Sequence, residues 1–334
     1  MDVTRRTGPA REPEPATRTI AIEARGLRKT YGDRVAVESL DLEVETGTVL
    51  GFLGPNGAGK TTVIRILSTV LRPDRGDFEV AGIPDTRPMD IRRRIGVLPE
   101  GAGYPPAQTA EEWLTYHARL FGASRRAAGD DARRLLSEVG LGGRAGSRIS
   151  SLSRGLRQRL GIARAMVNNP ELVFLDEPTL GLDPTGQRQV LDLVARIARE
   201  HGATVLLSTH TLTEVEQICH RVLILNRGRV VADGTVGEIV RRAAAPRRGV
   251  VQVPVEQRPR AVEVLAGQGI EASAAHDRQD EVELVLPADL PPEESSAAAL
   301  RCLLDAGVPV LGLTLEGGRL SDAFLTVTGG ASDD

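Results

Sequence analysis

The segment Gly54-Pro55-Asn56-Gly57-Ala58-Gly59-Lys60-Thr61 constrains this chain more than any other. It fits G-x-x-x-x-G-K-[ST] in full, follows the apolar run Val49-Leu50-Gly51-Phe52-Leu53, and opens a helix expected over residues 60–71. Glycines let backbone N–H groups turn inward around a phosphate with no Cβ in the way. The helix N-terminus adds partial positive charge at the same place. Lys60 can reach β- and γ-phosphates, and Thr61 can offer a hydroxyl to Mg²⁺, which prefers hard oxygen ligands. Gly54, Asn56, Gly57, Ala58, Gly59 and Thr62 complete the candidate nucleotide-binding loop. By itself this spacing says only that a nucleoside triphosphate is bound.

A second element is expected beside that loop. Leu172-Val173-Phe174-Leu175 is an apolar strand ending in the carboxylates Asp176 and Glu177. A buried strand ending there places Asp176 at the sheet edge, where it can hold Mg²⁺. Glu177 is then placed to polarise a water for attack on a γ-phosphate. Shortly before this strand, Ser151-Leu152-Ser153-Arg154-Gly155-Leu156 opens another helix. Ser153 and Gly155 offer a hydroxyl and a close backbone N–H at its N-terminus, a second anion site. One phosphate loop but two phosphate-suited helix ends is explained economically if the second serves a nucleotide held by another subunit.

Around these motifs the chain divides. Residues 1–18 are polar and rich in Arg, Pro and Glu, and read as a disordered tail. Residues 19–242 alternate apolar runs with helical stretches; further strands are expected at 95–98, 203–207 and 222–225. Continuous apolar strands separated by helices imply an α/β fold with a mostly parallel sheet covered on both faces. Residues 105–169 read as helices only, a helical subdomain. Its first helix opens with capping-box spacing at Thr109 and Glu112, and Trp113 reads as a packing residue. Residues 243–249 read as a linker, 250–328 as a small α+β domain, and 329–334 as a tail. The α+β part is expected to run as strands 250–255, 270–274, 281–286 and 308–315, with helices 259–267, 293–306 and 319–327. That order is compatible with a ferredoxin-like module.

Composition narrows the function classes. The 42 Lys+Arg against 45 Asp+Glu leave a net charge of −3, without the basic excess of a general nucleic-acid binder. Only Lys29 and Lys60 are lysines, so the lysine of the phosphate loop stands against an arginine-rich background. Two distant cysteines, Cys219 and Cys302, exclude a disulfide scaffold. No apolar stretch approaches the roughly 20 residues that span a bilayer. No hydrophobic segment follows Arg5-Arg6, so no export signal is expected and the cytoplasm is the expected compartment. None of the histidines falls into a zinc-ligand pattern.

Taken in order, these motifs resemble the nucleotide-binding subunit of an ABC transporter, a P-loop NTPase cassette with a helical subdomain. Leu152 to Leu156 resembles that family's signature; Asp183 in Gly181-Leu182-Asp183-Pro184 resembles its D-loop. His210, after Leu206-Leu207-Ser208-Thr209, resembles the switch histidine, and Tyr31, in Lys29-Thr30-Tyr31-Gly32, the aromatic that stacks on adenine. The resemblance covers about residues 20–235. It implies ATP and Mg²⁺ as cofactors, with Lys60, Glu177, His210 and Glu100 as catalytic residues. Thr61, Asp176 and Glu100 are the implied metal-side residues, and Ser153, Gly155 and Asp183 the implied contacts to a partner's nucleotide. It also implies a second ATP-binding subunit, a homodimer being expected, and an integral membrane permease, with the chain peripheral at the cytoplasmic membrane face. No nucleic-acid partner is expected.

Two positions depart from the family pattern. Glu100 stands where glutamine is usual, and Arg154 where the first signature glycine is usual. The Leu98-Pro99-Glu100 loop, the basic signature residue and the C-terminal Ser321-Asp322-Ala323-Phe324-Leu325 resemble the branch that exports drugs, antibiotics or lipids. Weakened, slow hydrolysis is the alternative meaning of Glu100 and Arg154. A soluble ATPase acting as a regulatory or ribosome-associated switch is the alternative function.

Overall fold

Each apolar run ahead of a glycine-rich or acidic turn becomes a buried strand, and each amphipathic stretch a helix laid across it. The structure is a computed structural model that describes residues 19–242, 247–275, 278, 280–286, 292–316, 320 and 324. In chain order it runs β1 (Ile20–Tyr31), β2 (Arg34–Glu45), β3 (Val49–Leu53), α1 (Lys60–Leu67), β4 (Arg75–Val80), β5 (Ile83–Pro84), α2 (Pro88–Arg94) and β6 (Ile95–Leu98). The helices α3 (Ala110–Leu120), α4 (Arg125–Glu138) and α5 (Arg154–Ala165) follow. The chain returns through β7 (Leu172–Asp176), α6 (Pro184–His201), β8 (Thr204–Thr209), α7 (Leu212–Ile218), β9 (Arg221–Asn226), β10 (Arg229–Gly234) and α8 (Val236–Arg242). It ends in β11 (Arg247–Gln252), α9 (Arg258–Gly267), β12 (Glu271–Ala274), β13 (Glu281–Leu286), α10 (Pro292–Asp305) and β14 (Gly312–Glu316).

Ten strands form one mixed sheet in the order β5-β4-β1-β2-β10-β9-β3-β8-β7-β6. Its centre is parallel: β3 lies between β9 and β8, and β7 between β8 and β6. Every residue of β3, β7 and β8 is buried, as expected for strands covered on both faces. Alternation divides them between two cores. Leu50, Phe52, Phe174 and Leu206 pack with Val63, Ile64 and Ile66 of α1. Val173, Leu175, Val205 and Leu207 pack with the helices α5 and α6. An antiparallel layer of β1, β2, β4 and β5 joins this centre. Its polar–apolar alternation is broken by register shifts along β1, which blunts the period-2 signal in the sequence.

The all-helical stretch is α3, α4 and α5 with two short 3-10 turns between α4 and α5. Thr109 and Glu112 form a reciprocal capping box. Trp113 is buried against Tyr104 and His117, ring centroids 5.2 and 5.0 Å away, with the Arg164 guanidinium over its face. Burial pushes the His117 imidazole down to about 4, so it packs as a neutral ring.

The C-terminal strands form a second, antiparallel sheet in the order β12-β13-β11-β14. With the β-α-β-β-α-β sequence of elements, this is the ferredoxin-like arrangement. Ala261 and Leu265 of α9 and Ala299 and Leu303 of α10 pack onto Val251, Val282 and Leu284 of the sheet.

Several boundaries differ from the sequence pattern. The helix expected over 60–71 stops at Leu67, because Ser68-Thr69-Val70 are poor helix formers and Thr69 takes a left-handed φ of 63°. Residues 247–249, expected in the linker, pair with Leu286, Val285 and Leu284; residues 243–246 lie outside the described residues. The strand expected at 308–315 starts at Gly312, and Val308 is buried in the small core. The expected tails 1–18 and 329–334 lie outside the described residues, as does the helix at 319–327 except for Leu320 and Phe324. Leu320 is buried against Leu53, Val215 and Ile239, and its N–H donates to Glu216 Oε1 at 3.1 Å. Leu320 thus touches α7.

Gly96 ties β6 to α5: a Cβ there would collide with the Ala165 carbonyl oxygen. Gly96→Ala should destabilise the chain by about 1–3 kcal/mol, the usual range for overpacking a rigid contact. Urea unfolding checks this, and a midpoint equal to the parent's would contradict so close an approach.

Candidate functional site

The parallel register brings three strand ends to one edge. Leu53 at the end of β3 is level with Thr209 of β8, and Asp176 at the end of β7 is level with Ser208. The turns leaving these strands therefore begin side by side. They carry the Gly54–Thr61 loop, Glu177, and His210.

The loop closes onto α1 through Gly59, whose φ of 112° is left-handed and whose missing Cβ makes room for the Ala36 carbonyl oxygen. No side chain caps α1 and no acidic residue stands in its first turn. Its first N–H groups, which have no intrahelical acceptor, point back along the helix axis toward the loop. Lys60 is buried, and its Nζ donates to Gly54 O at 2.6 Å and Pro55 O at 3.3 Å. The same Nζ lies 3.4 Å from Glu177 Oε1.

The other two turns are bonded to one another. Thr61 Oγ1 donates to Asp176 Oδ1 at 3.1 Å, and Ser208 Oγ donates to the same oxygen at 2.6 Å. Ser208 Oγ in turn accepts the Glu177 N–H at 3.0 Å. Glu177 sits at a left-handed φ of 48°, uncommon for a residue with a Cβ and kept only where surroundings hold it. Its Oε2 lies 2.9 Å from His210 Nδ1. Glu177 is buried, whereas His210 is open on one side. The pair presents a carboxylate beside an imidazole at the wall of a cavity.

That cavity, of about 590 Å³, is lined by Tyr31, Asn56, Gly57, Ala58, Gly59, Lys60, Thr61, Thr62, Glu100, Glu177 and His210. Gly54 stands behind the loop as the acceptor for Lys60, and Asp176 reaches the cavity through Thr61. Arg34, Ala36 and Leu180 also line it, and sequence reasoning did not point to them. Arg34 donates to Gly57 O at 3.2 Å and has no motif around it. Tyr31 stands exposed at the end of β1, and the two residues before it are fastened to Asp74. Asp74 accepts from Lys29 Nζ, Thr30 N and Thr30 Oγ1, each at 2.7 Å. These hydrogen bonds, Lys29 foremost, hold the Asp74 carboxyl down at about 2.

Ser153, Gly155 and Asp183 are not in this cavity. They line a second one of about 480 Å³ with Arg154, Leu182 and Gln189. Ser153 caps α5, its Oγ accepting the Leu156 N–H at 3.4 Å, and Asp183 caps α6, accepting the Gly186 N–H at 3.0 Å. The Arg154 guanidinium lies across Gly181. The two groups of candidate residues thus face two separate cavities of one chain.

Sequence reasoning also passed over Ser208, Thr179, Thr209 and Glu214. Thr179 Oγ1 and Thr209 Oγ1 donate to the two oxygens of Glu214, each at 2.7 Å. The only sequence trace of this network is hydroxyl residues next to Glu177 and His210, with an acid four residues past the histidine. Among the described residues, no helix is long and apolar enough to cross a membrane.

Comparison with known proteins agrees with this geometry. The family model described as ABC transporter matches residues 37–180. The daunorubicin/doxorubicin resistance ATP-binding protein DrrA of Streptomyces peucetius is 38% identical, covering 95% of this chain and 94% of that protein. The Nod factor export ATP-binding protein I of Cupriavidus metallidurans is 38% identical, covering 66% of this chain and 73% of that protein. Among solved structures, an ATP-binding subunit of an ABC transporter superposes with a TM-score of 0.59 at 33% identity, covering 66% of this chain and 92% of that one. A dimeric ATP-binding cassette in a post-hydrolysis state with ADP and Pi superposes with a TM-score of 0.59 at 26% identity, covering 64% of this chain and 98% of that one. With its loop, strand-end acids and histidine gathered on one edge of a cassette sheet, the chain belongs to the ATP-binding subunits of the ABC transporter family.

Proposed function

We propose that this chain hydrolyses ATP to power export of a small molecule, drug or lipid through a separate integral membrane permease, and that it works as a pair of ATP-binding subunits at the cytoplasmic membrane face. The observation that carries this reading is the convergence of Lys60, Thr61, Glu177 and His210 on one cavity. The relatives' own functions, daunorubicin resistance and Nod factor export, favour export over a ribosome-associated or regulatory switch.

In this reading the cavity holds ATP. Tyr31 offers its ring to the adenine, and the N–H groups opening α1 meet the phosphates. Lys60 exchanges its carbonyl acceptors and Glu177 for the β- and γ-phosphate oxygens. Thr61, Asp176 and Glu100 supply the hard oxygen donors that suit Mg²⁺, and two of them already meet at 3.1 Å. When bound, that ion neutralises charge on the β- and γ-phosphates. Glu177 takes the proton of the attacking water as the water oxygen bonds to the γ-phosphorus. The bond to the β–γ bridging oxygen breaks, leaving ADP and phosphate. His210, hydrogen-bonded to Glu177, orients that carboxylate toward the water.

The second cavity serves the partner's nucleotide. Ser153 and Gly155 offer a hydroxyl and a backbone donor at the start of α5, and Asp183 stands beside them at the start of α6. With Arg154 in place of a glycine, its guanidinium adds positive charge to this surface, suited to a triphosphate.

Two substitutions separate binding from chemistry. Lys60→Ala should weaken ATP binding by about tenfold or more, the loss expected when a charge-assisted phosphate contact goes; an unchanged nucleotide titration would remove Lys60 from the phosphate site. Glu177→Gln should keep ATP affinity but lower turnover by about 10²–10⁴-fold, the range for a lost general base. With ATP it should also accumulate as a closed dimer in light scattering. Phosphate release near the parent rate would show that Glu177 is not the base.

A further inference from the structure

We propose that Glu214 is a positioning residue for hydrolysis: from α7 it clamps Thr179 and Thr209 together and so fixes the contact between Glu177 and His210. The inference rests on the reading of Glu177 as general base and extends it to a residue that touches neither nucleotide nor water.

Glu214 is a carboxylate with 3% of its surface exposed, a costly placement unless its oxygens are paired. Both are paired, and with hydroxyls from two different turns. Thr179 Oγ1 donates to Oε1 and Thr209 Oγ1 to Oε2, each at 2.7 Å. Those two threonines are themselves 2% and 0% exposed, so neither hydroxyl has water as a substitute partner. Thr179 lies two residues after Glu177, and Thr209 immediately precedes His210. The Thr209 hydroxyl also accepts the Thr211 N–H at 3.0 Å, which fixes its rotor.

The connections close a ring. Glu177 leads through Pro178 to Thr179, Thr179 to Glu214, Glu214 to Thr209, Thr209 to His210, and His210 Nδ1 back to Glu177 Oε2 at 2.9 Å. Glu177 needs such a ring. Its backbone is left-handed at φ 48°, so its orientation persists only where neighbours over-determine it. Ser208 holds the backbone N–H of Glu177 from one side. Glu214 holds the turn just beyond it from the other. Removing the clamp frees the two turns to separate without touching any group that meets ATP.

The test is steady-state ATPase kinetics of the full chain, with nucleotide titration and thermal unfolding run alongside. Glu214→Ala should lower kcat by about tenfold or more, in line with the up to 10²-fold loss that a 1 Å misplacement causes. The KM for ATP should stay within about twofold, because an interaction made only in the transition state is what is lost. Glu214→Gln should recover most of the rate, since an amide still offers an acceptor to one threonine and a donor to the other. The deciding arm is a double-mutant cycle. In a His210→Ala background, where the ring is already open, Glu214→Ala should cost less than about a third of its effect in the parent. Thr179→Val and Thr209→Val each remove one hydroxyl and carry the same test should Glu214→Ala not fold. An unchanged kcat, a rise in KM that accounts for the loss, or an equal fold-loss with and without His210 would overturn the proposal. A Glu177→Gln variant that turns over normally would instead sink the base assignment, so the two failures are told apart.

Discussion

The first turn of α1 has no side chain to cap it, and the rest of the site is arranged around that fact. A helix start whose N–H groups have no acceptor is a fixed positive pole. Here it is anchored to the middle of a ten-stranded sheet by β3, whose five residues are all buried. The pole cannot drift, because Gly59 admits the Ala36 carbonyl from β2 and the far side of α1 is packed into the core through Val63, Ile64, Ile66 and Leu67. Parallel pairing then does the remaining placement. Strands β7 and β8 run the same way as β3, so their C-terminal residues arrive at the same edge and hand over Asp176, Glu177 and His210 beside the pole.

The acidic and basic groups gathered there are held by one another. Asp176 is shared by Thr61 and Ser208; Glu177 lies between Lys60 and His210. Burying a carboxylate is costly unless its oxygens have such partners. Glu177 also carries a strained backbone, worth on the order of 1–3 kcal/mol for a residue of this kind. That strain is tolerable because hydrogen bonds reach its turn from β8 and from α7. The second group, Ser153, Gly155 and Asp183, is built on the starts of α5 and α6 and faces elsewhere. In the proposed pair, a second cassette brings its own second cavity to the first cavity of its partner.

Local signals made much of this legible in the sequence. Glycine spacing around Lys60 and the apolar run before Asp176 depend on nearest neighbours, so the strand–loop–helix and the strand-end acids could be placed from residue types alone. The β-α-β-β-α-β order of the C-terminal part was legible for the same reason: 281–286 alternates cleanly and pairs as read. What sequence did not carry is set by tertiary contact. The antiparallel β1 and β2 pair through broken register, and Arg247 to Gly249 look like linker until β13 supplies their partners. Arg34 enters the cavity by folding over Gly57, and Glu214 acquires its role only because Thr179 and Thr209, thirty residues apart in the chain, end on adjacent strand turns. Nothing in residue type marks such a carboxylate before the sheet brings its partners together.

Completion of each ATP site by a second subunit is the claim on which the functional account stands, and mixing tests it most directly. Subunits carrying Lys60→Ala have a disabled loop and an intact second cavity; subunits carrying Gly155→Asp have the reverse. Each alone should be inactive, and a mixture should regain ATPase activity, because every mixed pair contains one site built from an intact loop and an intact second cavity. A mixture no more active than its two components measured separately would contradict it.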